Sequence, residues 1–205
     1  MDKSFGVDSS NELFCDIKNI NTIDSSFIPG CIDVDSNSGN IGEFVNQQES
    51  LMEKNKDDCS VSVFDVASYI LKKINQPIST MKLHKLLYYC QAWSMVWDEK
   101  PLFKERIEAW ANGPVVRSLF NFHRGMYEIS IDQLGLGDDR NLSTEQKETI
   151  DAVLDYYGKM TAQALINQTH FEKPWREARV GLEPDEPGNR VISLESMQSY
   201  YSSLS

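Results

Sequence analysis

Leu83-His-Lys-Leu-Leu-Tyr-Tyr-Cys-Gln-Ala-Trp93 is the stretch that decides the fold. Leu83, Leu86, Leu87, Cys90, Trp93 and Trp97 recur at helical spacing and share one side of a helix. Tyr88, Tyr89 and Met95 widen that side beyond a stripe. A helix with so broad an apolar face predicts a place in the core, with Ser79 as its N-cap.

Helical periodicity extends to both sides. Val63, Val66, Ala67, Ile70, Leu71 and Ile74 predict a preceding helix, opened by Ser62 with Asp65 and ended before Pro77. Beyond Pro101-Leu-Phe103, the alternation from Arg106 to Trp110 reads as a short strand or an extended arm. Asn112-Gly113-Pro114 reads as a loop into a third helix with Pro in its first turn, where a missing N–H costs nothing. That helix has Val116, Leu119, Phe120 and His123 inward and stops at Gly125. Ile129 to Ile131 is a second short extended candidate. Ser143 to Gln146 is a capping box for a helix with Ile150, Val153, Leu154 and Tyr157 inward, broken at Gly158. Helices restart at Thr161 and Ser193, with a short turn from Lys173 between them. The expected class is mainly α: a compact multi-helix domain over residues 61–205 with at most a small two-stranded β element.

Residues 1–60 differ in texture. They are rich in Asn, Ser and Asp, lack Trp and Tyr, and hold twelve acidic against four basic side chains. They carry −8 of the total −11, leaving −3 for the rest. Apolar groups so scattered do not offset the entropy of ordering, so a poorly structured acidic N-terminal extension is expected, or a segment that folds against a partner or the main domain. An acidic chain is a poor general binder of phosphate backbones, which makes nucleic acid an unfavoured partner, and it suits a basic protein. No apolar run approaches the roughly 18 residues of a membrane span, and the first 20 residues lack the apolar core of a secretory signal. The expected setting is the cytoplasm, without membrane association.

No catalytic set emerges. GxSxG, P-loop and HExxH motifs are absent, and Cys15, Cys31, Cys59 and Cys90 form neither a CxxC pair nor a metal-ligand cluster with His84, His123 or His170. Cys90 paired with His170 as nucleophile and base is disfavoured by the apolar face that carries Cys90. Neither an enzyme nor a metal or cofactor site is expected. A helix, a short Pro turn and a second helix opening with Lys82 and Lys85 support a helix-turn-helix reading; against it, that second helix is loaded with Trp, Tyr and Leu that favour burial, and only Lys82, His84 and Lys85 could face phosphate.

Three ordered blocks carry a family resemblance: Leu83 to Trp93; Pro101-Leu-Phe103 with Glu108-Ala-Trp-Ala-Asn-Gly-Pro-Val-Val116; and Thr169-His-Phe-Glu-Lys-Pro-Trp175. Together they resemble the Panacea antitoxin domain, also described as SocA-like or phage-associated GepA-like, over about Val61 to Leu204. Cys90 stands where Ala is usual in that family, and Asn112 where an aromatic is common. The resemblance implies a helical antitoxin of a toxin–antitoxin system that neutralises a cognate protein toxin, encoded beside it, by direct contact. It also admits a proteolytic adaptor that delivers the toxin to an ATP-dependent protease; a DNA-binding regulator is the other alternative. Trp93, Trp97, Trp110, Asn112, Gly113, Pro114, His170, Pro174 and Trp175 are the candidate residues, read either as partner-binding groups or as a structural motif.

Overall fold

The computed structural model describes residues 61–204; the expected acidic extension over residues 1–60 lies outside them, as do a candidate short helix over residues 44–51 and a candidate hairpin around Ile32 and Val34. Helix α1 spans Val63–Ile74. A minimal strand β1, Ile78–Ser79, leads into helix α2, Thr80–Trp97. Strands β2 (Ile107–Trp110) and β3 (Gly113–Val116) precede α3 (Arg117–His123). Then come β4 (Glu128–Ile129), the one-turn helix α4 (Ile131–Leu134), α5 (Thr144–Tyr157), α6 (Ala162–Phe171), α7 (Lys173–Ala178) and α8 (Leu194–Ser202).

Helix α2 is buried on every side from Leu83 to Met95. Its N-cap forms as expected, the Ser79 hydroxyl accepting from the Lys82 N–H. Helices α5 and α8 pack most extensively against it, with α6 and β3 completing the enclosure. One continuous apolar cluster runs through all of these elements. The capping boxes are present at Ser62 with Asp65 and at Ser143 with Gln146. The Asp65 carboxylate also accepts from the Asp138 N–H and the Asn141 amide, which ties the Gly/Asp loop to the start of α1.

The mainly helical reading is borne out, with two local differences. Gly113–Val116 is a strand rather than the first turn of a helix. It pairs antiparallel with β2, Ala109 opposite Pro114 and Ile107 opposite Val116, around the turn Ala111-Asn112. The adjacent β-branched Val115 and Val116 favour extended backbone, and the helix begins one residue later at Arg117. The other edge of β2 is covered, since the Ala109 N–H donates to the Arg190 carbonyl (2.8 Å) and the Ile192 N–H donates to the Ile107 carbonyl (2.9 Å). The second difference is an additional minimal pair, Ile78 opposite Ile129, which gives the extended candidate at Ile129 a partner far away in sequence.

The connection after α2 is held by one side chain. Gln91, buried, accepts from the Leu102 and Phe103 N–H groups through Oε1 (3.1 Å each) and donates Nε2 to the Phe103 carbonyl (3.1 Å). Gln91→Leu preserves approximate volume and removes the side-chain hydrogen bonds to three backbone groups of Leu102 and Phe103. Denaturant unfolding should show a loss of roughly 2–4 kcal/mol; a loss below about 1 kcal/mol would contradict this role.

Candidate functional site

The three sequence blocks meet inside the molecule. Gly113 adopts φ +94°, and a Cβ there would lie 2.5 Å from Lys85 Cε and 3.0 Å from Thr169 Oγ1. One residue from each block therefore converges on a point where only glycine fits. Lys85 is fully buried and donates its ammonium to the Pro114 carbonyl at 3.0 Å. Burial pushes its pKa down to about 7. Trp175 Nε1–H donates to the Trp110 carbonyl (3.0 Å), and the His170 ring stacks on Trp175 with centroids 4.1 Å apart. Pro174 is buried in the first turn of α7.

A second junction forms around Glu172, which is also buried. Its carboxylate accepts the Tyr89 hydroxyl at Oε1 (3.0 Å) and the Tyr201 hydroxyl at Oε2 (2.7 Å). Desolvation pushes Glu172 up to about 7, opposed by the tyrosine hydroxyls. Tyr89 stacks on Tyr157 with centroids 3.8 Å apart, and Trp93 Nε1–H donates to the Tyr157 hydroxyl. Trp93 is thus a core residue, and the half-buried Trp97 stacks on it. Glu172 sits within the third block, yet its side-chain partners were not foreseen; they come from α2 and α8 and have no local signal.

His84 and His123 form a third arrangement. The Val116 N–H donates to His84 Nδ1 (3.2 Å), so the proton of a neutral His84 resides on Nε2. Nε2–H then points to His123 Nε2 at 2.8 Å, which must accept. Burial, followed by the neighbouring positive charge of Lys85, holds His84 well below the usual imidazole range. His84 and Lys85 are therefore interior groups, and the Lys82 ammonium donates to the Gly158 carbonyl (2.6 Å). The residues that supported a helix-turn-helix reading do not form a basic surface. Cys90 is fully buried and its thiol is pushed up by desolvation.

Beside the two histidines opens a cavity of about 650 Å³. Met81, Trp110, Val115 and Phe120 supply its apolar lining, and the exposed Asn112, Asp185 and Asn189 border it. The Trp110 ring meets Phe120 edge-on at 4.7 Å, and its indole N–H donates to Glu108 (2.8 Å). Arg117 makes two 2.7 Å contacts with the same Glu108 carboxylate. The wall around Asp185 is fixed by Arg179, a buried residue that sequence reading missed. Its guanidinium donates to the carbonyls of Ala109, Glu183, Pro184 and Glu186. Of the candidate residues, Trp110 and Asn112 line this cavity. Trp93, Gly113, Pro114, His170, Pro174 and Trp175 brace the interior, and Trp97 packs on Trp93.

Among the described residues, no group of three or more His, Cys, Asp or Glu side chains is placed to hold a metal ion. No helix among them is long and apolar enough to cross a membrane. Residues 83–176 match the family model described as "Antitoxin SocA-like, Panacea domain". That span contains all three blocks and is narrower than the Val61 to Leu204 expected from sequence; α1 and α8 lie outside it. No curated protein and no solved structure matches the chain.

The buried carboxyl has a measurable signature. Glu172 is raised from 4.5 to about 7, so the folded protein holds a proton that the unfolded chain releases. Its contribution to stability is complete below about pH 4.5 and is lost as pH rises through about 7. Glu172→Gln removes this dependence. The stability difference, wild type minus variant, should be about 2–3 kcal/mol greater at pH 5 than at pH 8 in denaturant unfolding. A difference independent of pH would contradict the assignment.

Proposed function

We propose, from the match of residues 83–176 to an antitoxin-like Panacea domain, that this chain neutralises a protein toxin by binding it directly. That match is the observation that carries the reading. The internal geometry agrees with a binding scaffold rather than an enzyme. Lys85, Glu172 and the His84–His123 pair are buried ionisable groups of the kind an active site draws on, and each of these has an internal partner. A rigid frame whose chemistry is turned inward leaves function to surface contacts.

On this reading the toxin is encoded beside the antitoxin, and neutralisation takes place in the cytoplasm. The test is co-expression with the product of the adjacent reading frame. That product should arrest growth alone, growth should return when this chain is present, and the two proteins should co-purify. Arrest that persists, with no complex isolated, would overturn the proposal.

A further inference from the structure

Internal bracing accounts for most residues of the three blocks, but the cavity beside Trp110 is not part of that bracing. We infer that this cavity is the docking surface for the protein partner. The occupant is a partner segment that inserts an apolar side chain and sets a Lys or Arg against the Glu183–Glu186 loop. The inference rests on the partner-binding reading proposed above.

The lining favours a side chain. Met81, Val115, Trp110 and Phe120 present apolar and aromatic surface, and the volume lies in the range of clefts that accept an anchoring group. Trp and Met are residue types enriched where proteins meet. At the border, the side chains of Asn112, Asp185 and Asn189 form no hydrogen bond or ion pair among the described residues. An amide both donates and accepts, which suits the backbone of an extended peptide.

Charge selects among occupants. Arg117 also lines the cavity, but Glu108 neutralises it through two contacts. The two histidines donate and accept between themselves as neutral rings. Among the described residues, the cavity-border charge without an ion pair or hydrogen bond is Asp185, with Glu183 and Glu186 in the same exposed loop. Arg179 fastens that loop through its carbonyls, and the Glu186 carboxylate accepts the Glu183 N–H, so the loop that carries Asp185 is braced from within, which lowers the cost of ordering it on binding. A second copy of this chain would carry its own −11, and residues 1–60 carry −8, so either would bring like charge to an acidic border. A basic segment from another protein matches it.

The experiment measures affinity between the purified full chain and the purified product of the adjacent reading frame. Asp185→Lys, at an exposed loop position, should weaken binding about tenfold or more. Met81→Trp, which fills the cavity from α2, should do the same. Phe171→Arg, 80% exposed and away from the cavity lining, should leave affinity unchanged. Thermal unfolding of each variant confirms that it is folded; should Met81→Trp fail to fold, the loop variant decides alone. A complex that forms in the wild type and tolerates Asp185→Lys would overturn this surface while leaving the partner-binding reading intact. Failure of the wild type to bind would overturn both. A photoreactive side chain at position 112 should crosslink to the partner beside a Lys or Arg. Crosslinks into residues 1–60 or a second copy of the chain would contradict the assigned occupant.

Discussion

Helix α2 is buried on all its faces while carrying His84, Lys85, Tyr89, Gln91 and Ser94, and most of the structure follows from the need to satisfy those groups. A polar group taken out of water without a partner is costly, and a charge more so. Each therefore fixes something distant. Lys85 fixes the Pro114 carbonyl and so the hairpin, while His84 fixes the Val116 N–H and His123. Gln91 pins Leu102 and Phe103, and Ser94 donates to the Lys100 carbonyl. Tyr89 reaches Glu172 at the junction of α6 and α7. The segments that follow α2 are arranged by the polar atoms of α2 as much as by its apolar ones.

This explains which parts of the fold were legible. Helices with one wet face announce themselves through periodicity and caps. Ser62 with Asp65, Ser143 with Gln146, Gly158 and Ser193 mark boundaries that the structure reproduces. The hairpin at Gly113–Val116 was misread because Pro at a helix start and Pro in a short strand look alike locally; the register with β2 is what separates them. The pairing of Ile78 with Ile129, the run of residues 190–192 along β2, and the fan of carbonyls around Arg179 join positions far apart in sequence or in irregular backbone. No periodic signal encodes them.

The candidate site divides in the same way. The blocks that carry the family resemblance were readable as a pattern, but their roles were not. Gly113 meets Lys85 and Thr169, and Trp175 meets Trp110, as parts of a frame. The cavity joins that frame to a wall built from Asp185, Pro187, Gly188 and Asn189, which lie beyond the matched residues 83–176. On the proposed reading, the matched segment supplies a scaffold and one side of the binding surface. The acidic loop fastened by Arg179 supplies the other side, and with it the preference for a basic partner.

The central claim is that a buried, internally hydrogen-bonded frame presents one cavity to a protein partner. Hydrogen–deuterium exchange of the full chain, with and without the product of the adjacent reading frame, tests it most directly. The account predicts new protection at residues 110–112, 120–126 and 183–189, with little change from 83 to 95, where burial already limits exchange. Protection confined to other surfaces, with these three segments unchanged in a stable complex, would contradict it.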